Sequence, residues 1–282
     1  MADNNKLSLK KIIKEYNLNP KKNLGQNFLH DKNIILSIIN NAKIKNEDVF
    51  EIGPGPAILT ELMLINGANS VFCIEKDTNF EPKLLDLKKN YKDKFEYQFL
   101  DIFDFDFDKY PKNEFKIISN LPYNISVPFI FKILESKKNI PWKEMILMVQ
   151  KEVADRLIAT KGNKNYGRLS VMVKWKNDVE RIFNIKPTSF IPKPKVESSL
   201  IRIKPNNNFV TTKHSSLEKL VKLSFAHRRK TIKNNLNNLN IDTDRLLLLS
   251  KINPNERAEN MDIKDFCNLS NNYDKIILER TS

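Results

Sequence analysis

Apolar residues along the 282-residue chain change their spacing several times, and each change marks an element. Leu9, Ile12, Ile13 and Tyr16 follow the i, i+3, i+4, i+7 rhythm of an amphipathic helix that Asn19-Pro20 ends. A basic loop at 21–31, KKNLGQNFLHD, leads into a second helical pattern at Ile34, Ile35, Ile38 and Ile39. Val49, Phe50 and Ile52 then form a β-rich run that stops at Gly53, and AILTELMLIN continues as a helix. The strand, turn, helix unit returns in SVFCIEKD at 70–77, a buried strand ending in acids, followed by helical FEPKLLDLKKN. Further strands are predicted in YQFLDIFDFDF (97–107), FKIISNLPYNIS (115–126) and EMILMVQ (144–150), each running into a loop or turn. Short apolar strands alternating with helices predict an α/β protein with a mainly parallel sheet covered on both faces.

Beyond Lys151 the pattern changes. KEVADRLIAT reads as a helix, while LSVMVKW (169–175) and VESSLIRIKP (196–205) have the β-branched, alternating character of strands, with the proline-rich FIPKPKV between them. The polar linker KPNNNF precedes a tail of helical periodicity that includes SLEKLVKLSFAHRRKTIKNNL. Two domains are expected, 1–206 and a small all-α domain at 207–282.

Composition narrows the class. With 40% hydrophobic and 29% charged residues the chain is neither collagenous nor wholly disordered. Its start lacks a signal-peptide core, Asp3 and Glu15 without arginine argue against a transit peptide, and no run has the roughly 18 apolar residues of a membrane span. A cytoplasmic location without membrane contact is expected. Cys73 and Cys267 are too few for a disulfide framework and lack the spacing of a zinc site, and His30, His214 and His227 do not cluster, so no metal is expected. The net charge of +14 suits a nucleic-acid partner, although the abundance of Lys, Asn and Ile is also what an AT-biased genome produces.

Chemistry concentrates at strand ends. GPGPA at 53–57 departs from the dinucleotide fingerprint, since Ile58 stands where its last glycine belongs. Its context is stronger: Glu51 precedes Gly53, Gly55 opens a helix, and Glu75 ends the next strand. Ligands of open α/β sheets bind at the carboxyl ends of strands. A carboxylate there can accept from both ribose hydroxyls and would repel a 2′-phosphate, so a nucleoside-bearing cofactor is expected, with Asp101 able to accept from an adenine amino group. The competing reading is that such acids only hold loops or cap helices.

Asn120-Leu121-Pro122-Tyr123 suits one task, holding a planar exocyclic amine for attack on an electrophile. The N6 amine of adenine is a weak nucleophile because its lone pair is delocalised into the ring. The side-chain oxygen of Asn120 and the carbonyl of Leu121 are two acceptors that can grip the N6 hydrogens; Pro122 stiffens the turn and Tyr123 offers a stacking face, worth roughly 1–3 kcal/mol per base. The base must be flipped out or already unstacked.

Together, NLGQNFLHD, EIGPGPAILT, CIEKD, SNLPYNIS, VQKEVADRL, YGRLSVM, FIPKPKVESSLIRI, FAHRRKTIKNNL and RAEN resemble the small-subunit ribosomal RNA adenine dimethyltransferases of the KsgA type over nearly the whole chain. The resemblance implies a class I, Rossmann-like methyltransferase fold using S-adenosylmethionine, with a helical C-terminal domain. It also implies dimethylation at N6 of two adjacent adenosines in the 3′-terminal hairpin loop of 16S rRNA during small-subunit assembly. Asn27, Leu29 and Gly55 would contact the cofactor, Gly53 its methionine end, Glu75 would hold the ribose and Asp101 the adenine. Asn120, Leu121, Pro122 and Tyr123 would form the catalytic turn, with Asn120 serving both cofactor and target, and Phe190 would be a second aromatic wall for the target base. Ala57 stands where related methyltransferases often have glycine.

RNA contacts are expected from Lys21 and Lys22 of the first loop and from a basic helical segment at 213–233. That segment carries Lys222, Arg228, Arg229, Lys230 and Lys233 among seven cations against the one carboxylate Glu218. Lys193 and Lys195 flank the proline loop. A monomer acting on the immature small subunit is expected. The alternatives are a macrolide-resistance-type 23S rRNA methyltransferase, disfavoured by Leu121 and the FAHRRKTIKNN segment, and an assembly factor whose binding role outweighs catalysis.

Overall fold

The computed structural model describes residues 8–21, 24–107, 110, 113–136 and 140–281. Residues up to Ala154 with Glu180–Lys204 form one compact unit, and Asp155–Val179 with the residues from Pro205 onward form a second. The division expected at 206 thus has a counterpart earlier in the chain, where the segment 155–179 groups with the C-terminal residues.

In the first unit, helix α1 (Leu9–Glu15) precedes a two-residue strand β1 (Phe28–Leu29) and helix α2 (Lys32–Ala42), whose first amides are capped by Asp31. The repeated units follow: β2 (Asp48–Ile52), α3 (Ile58–Ile65), β3 (Ser70–Glu75), α4 (Glu81–Tyr91), β4 (Phe95–Phe99), β5 (Phe115–Asn120), α5 (Tyr123–Leu134) and β6 (Trp142–Gln150). These strands are parallel, in the order β4-β3-β2-β5-β6. Val49, Phe50, Ile117, Ile118, Met145, Ile146 and Leu147 are fully buried, the continuous apolar runs of strands covered on both faces. β2 bonds to β3 on one side and β5 on the other, so connections diverge there and their carboxyl ends leave a crevice.

The chain then adds α6 (Lys151–Ile158), α7 (Arg168–Lys174), β7 (Asn177–Ile185), β8 (Phe190–Ile191) and β9 (Ser198–Pro205). β9 pairs antiparallel with β6 and β7 closes the seven-stranded sheet at that edge. The separate pair β1 and β8 matches Leu29 with Phe190, tying the N-terminal loop to the proline-rich loop.

Two elements differ from the sequence pattern. LSVMVKW is helical: Leu169 through Val173 are all buried, so the alternation of valines carried no facing information, and Ser170 Oγ accepts from the Gly167 amide at 3.2 Å to start the helix. The basic segment is not one helix either. In the second unit α8 (His214–Ser224) ends before a turn, and α9 (Ile232–Leu236) begins after it, followed by α10 (Thr243–Ser250) and α11 (Ile263–Thr281). The buried Asn235 amide donates to Ser224 O at 2.7 Å and His227 O at 3.2 Å, satisfying the carbonyls that the broken helix leaves.

Candidate active site

The crevice at the strand ends opens into a cavity lined by the N-terminal loop, the glycine bend, the ends of β3 and β4 and the turn after β5. Asn27, Leu29, Gly53, Gly55, Glu75, Asp101, Asn120, Leu121, Pro122 and Tyr123 all line it, so these expected residues are brought together.

The glycine bend follows from backbone requirements. Gly53 and Gly55 adopt φ of 65° and 53°, the left-handed region that glycine enters without strain. A Cβ at Gly53 would meet nothing within 4 Å, so it would project into the cavity, whereas one at Gly55 would lie 3.2 Å from Phe28 Cε1. Ala57, the position expected as glycine, has φ 58°, and its methyl is fully buried where α3 begins.

Glu75 serves this bend directly. Its Oε2 accepts from the Gly55 amide at 3.0 Å, and Oε1 accepts from the Lys76 and Asp77 amides at 2.8 Å each. Burial raises the carboxyl above its usual range, and the three amides oppose that rise. Holding loops is therefore part of its work, and it still faces the cavity. Asp101, two residues past β4, accepts from Lys76 Nζ at 2.7 Å and from the Phe103 amide at 3.0 Å, and the Lys76 hydrogen bond holds its carboxyl below the usual range.

Asn120 ends β5, and its Nδ2 donates to the Asn27 carbonyl at 2.8 Å. An amide has one donor end and one acceptor end, so this bond engages the donor and leaves Oδ1 as the acceptor end of a residue that lines the cavity. Tyr123 begins α5 half-buried, and burial raises its phenol. The N-terminal loop is fixed by Asp77, whose carboxylate accepts from Lys21 Nζ at 2.8 Å and Gln26 Nε2 at 3.0 Å. Burial works to raise Asp77, but those hydrogen bonds outweigh it and hold the carboxyl low.

The remaining expected residues do not line this cavity among the described residues. Lys21, expected on RNA, is bound to the buried Asp77 and fastens the loop. Lys22 lies outside the described residues. Phe190 does not line the cavity; it is 2% exposed and packs in the hydrophobic core beside Leu29, leaving no free face for a base. In the second unit Arg228 pairs with Glu259 at 2.8 Å and Lys233 with Asp244 at 2.7 Å. Lys222, Arg229 and Lys230 are exposed and make no ion pair among the described residues. The pattern also missed the apolar wall supplied by Phe28, Phe80 and Ile102, with Phe28 meeting Phe80 edge-on at 5.7 Å. Phe80 lies in the segment read as helix, but no local signal directs its ring to the cavity.

Comparison with known proteins agrees with this geometry. The model of the ribosomal RNA adenine dimethylase family matches residues 17–275. The ribosomal RNA small subunit methyltransferase A of Rhizobium johnstonii is 37% identical over 266 residues, covering 93% of this chain and 96% of that protein. The protein of the same name from a Bradyrhizobium species is 36% identical over 261 residues, covering 92% and 91%. Among solved structures, a dimethyladenosine transferase from Plasmodium falciparum has a TM-score of 0.77 at 27% identity, covering 88% of this chain and 98% of that one. The 23S rRNA methyltransferase ErmE shares the fold, with a TM-score of 0.68 at 21% identity over 88% of this chain and all of its own. The fold is that of class I methyltransferases. A glycine bend, two strand-end acids and an asparagine turn converge on one cavity, and the family's pattern runs from residue 17 to 275: the chain belongs to the ribosomal RNA adenine dimethylase family.

Proposed function

We propose that the cavity holds S-adenosylmethionine beside a splayed-out adenosine, and that the chain dimethylates N6 of two adjacent adenosines in the 3′-terminal hairpin loop of 16S rRNA. It would act as a cytoplasmic monomer on the immature small subunit. Ribosomal RNA adenine dimethylation is the activity of its family; the particular target and assembly state are our reading. The cavity fits the cofactor because a side chain at Gly53 would occupy open space there. When bound, S-adenosylmethionine supplies a methyl group on a sulfonium centre. Gly53 and Gly55 leave room at its methionine end, Glu75 offers its remaining acceptor capacity to the ribose, and Asp101 receives the adenine amine by exchanging or sharing Lys76. Asn27 and Leu29 line the side closed by the N-terminal loop.

The observation that carries the reading is the Asn120 amide in the cavity wall, whose donor end is taken by the Asn27 carbonyl so that Oδ1 remains its acceptor. With the Leu121 carbonyl, Oδ1 grips the N6 hydrogens and draws the nitrogen toward tetrahedral geometry, while Tyr123 stacks on the base. No new charge is created in the transfer, since the positive charge passes from sulfur to nitrogen, so positioning carries the catalysis, and near-attack geometry can supply roughly 7–11 kcal/mol. The product nitrogen releases its proton to water, which leaves no task for a general base. The basic turn between α8 and α9 supplies phosphate contacts.

Labelled methyl incorporation into unmethylated small subunits, large subunits and naked RNA tests this. The intact protein should label small subunits. Asn120→Ala should lower incorporation by about 100-fold or more while binding RNA nearly as before. Full incorporation by the variant, or a preference for large subunits, would refute the reading.

A further inference from the structure

The phenolic oxygen of Tyr123 lies 2.8 Å from Ser198 Oγ. Ser198 is fully buried at the first residue of β9, opposite Gln150 at the end of β6. Because β9 runs antiparallel to β6, its amino end arrives at the same rim where β5 delivers Asn120 by its carboxyl end. The ring is therefore attached at two points: its Cα at the start of α5 and its para oxygen on the sheet. A ring held at both ends has its long axis and its height above the cavity fixed.

We propose that Ser198 is a positioning residue that holds the Tyr123 ring in place along its long axis, and that this fixation matters most for the second of the two methyl transfers to each adenosine. The inference rests on the reading of the site given above. In the first transfer the target amine carries two hydrogens, one for Asn120 Oδ1 and one for the Leu121 carbonyl. Its lone pair forms the N–C bond as the C–S bond breaks, the sulfonium becomes a neutral thioether, and one proton leaves the nitrogen for water. The monomethylated amine then carries a single hydrogen. In the second transfer only one acceptor can be satisfied, and the first methyl occupies the place of the other hydrogen. Once a second molecule of S-adenosylmethionine replaces the spent thioether, the nitrogen attacks its methyl as that methyl's C–S bond breaks to leave a neutral thioether, and the last proton leaves for water. With one hydrogen-bond anchor gone, the alignment of the base depends more heavily on the stacking wall, so a ring free to rock should slow this step selectively.

The test is single-turnover methylation of unmethylated small subunits by the wild type, Ser198→Ala, Tyr123→Phe and the double variant. Mono- and dimethyladenosine are quantified by mass spectrometry after nuclease digestion. Each single variant should accumulate monomethyladenosine, with the second transfer slowed on the order of fivefold more than the first, and the double variant should be no worse than either single one. Additive losses in the double variant, equal slowing of both transfers, or an unchanged product ratio would overturn the proposal. Should Ser198→Ala fail to fold, Tyr123→Phe carries the test, since it removes only the hydroxyl. Tyr123→Ala separates the two levels. If it is fully active, the site reading itself fails; if it is inactive while Tyr123→Phe and Ser198→Ala keep the wild-type product ratio, only the role of Ser198 fails.

Discussion

Glu51 sits beneath the glycine bend, 2% exposed, accepting from Thr60 Oγ1 at 2.6 Å. Burial pushes its carboxyl up to about 8, against the smaller opposing effects of Thr60 and Cys73. At neutral pH the native state therefore holds a proton that the unfolded chain releases above the usual carboxylate range. For a raised carboxyl, stability is highest below that range and falls as pH climbs toward about 8. Glu51→Gln removes this dependence, so the variant should gain on the wild type by up to about 1.4 kcal/mol per pH unit across that window. Parallel thermal melts at acidic, neutral and alkaline pH would check it; parallel curves for the two proteins would contradict it. At this scale the sequence was partly legible. The place of Glu51 ahead of Gly53 was visible, as was the oddity of Ala57. The burial of Glu51 was not, because it depends on Thr60 and Cys73, which reach it from α3 and β3.

Among the elements, the amino end of β5 carries the greater strain of charge. Lys116, 7% exposed, donates to Ala42 O at 2.7 Å and Lys43 O at 3.1 Å, and pairs with Glu144 of β6 at 2.9 Å. It thus neutralises the carbonyl end of α2 while joining two strands. Arg202 of β9 reaches the same Glu144 at 3.0 Å and Asn41 O at 2.7 Å. Lys116→Met should cost about 3 kcal/mol, at the low end for a broken buried pair because Arg202 still faces Glu144. A lowered denaturant midpoint with unchanged slope and unchanged cofactor affinity is the expected result. β2, β3 and β5 were legible because each is an apolar run closed by glycine, an acid or a proline turn. β7 was not, since the charges in NDVERIFNI conceal a strand whose exposure is mixed along its length. The break after α8 was equally hidden: helical spacing continues through His227 to Lys230, and the amide that stabilises the break belongs to Asn235.

Over the whole molecule, the net charge of +14 is legible in composition, but its placement is not. Lys21 is spent on Asp77, and Arg228 and Lys233 on neighbouring carboxylates, which leaves Lys213, Lys219, Lys222, Arg229 and Lys230 as exposed cations of the basic segment with no ion pair among the described residues. Replacing Arg229 and Lys230 together by alanine should weaken rRNA binding to all sequences alike. The slope of log affinity against log salt should become shallower by about two, with methyl transfer in the bound complex unchanged. Filter-binding titrations over a salt series would measure this, and an unaltered slope would remove the turn from the interface. The cavity was legible where short motifs carry it, at Gly53, Glu75 and Asn120. Its apolar wall and the support from Ser198 come from distant segments that only folding brings near.

The bond between Asn120 and the Asn27 carbonyl has one more consequence. The aim of the methyl acceptor is set by main chain nearly a hundred positions upstream, on a loop latched by Asp77. A small molecule that merely pried that loop away would let the amide rotate and misdirect the amine. Because Asn27 and Leu29 of the same loop line the cavity, such an inhibitor would also open the cofactor's seat, and excess S-adenosylmethionine would oppose it.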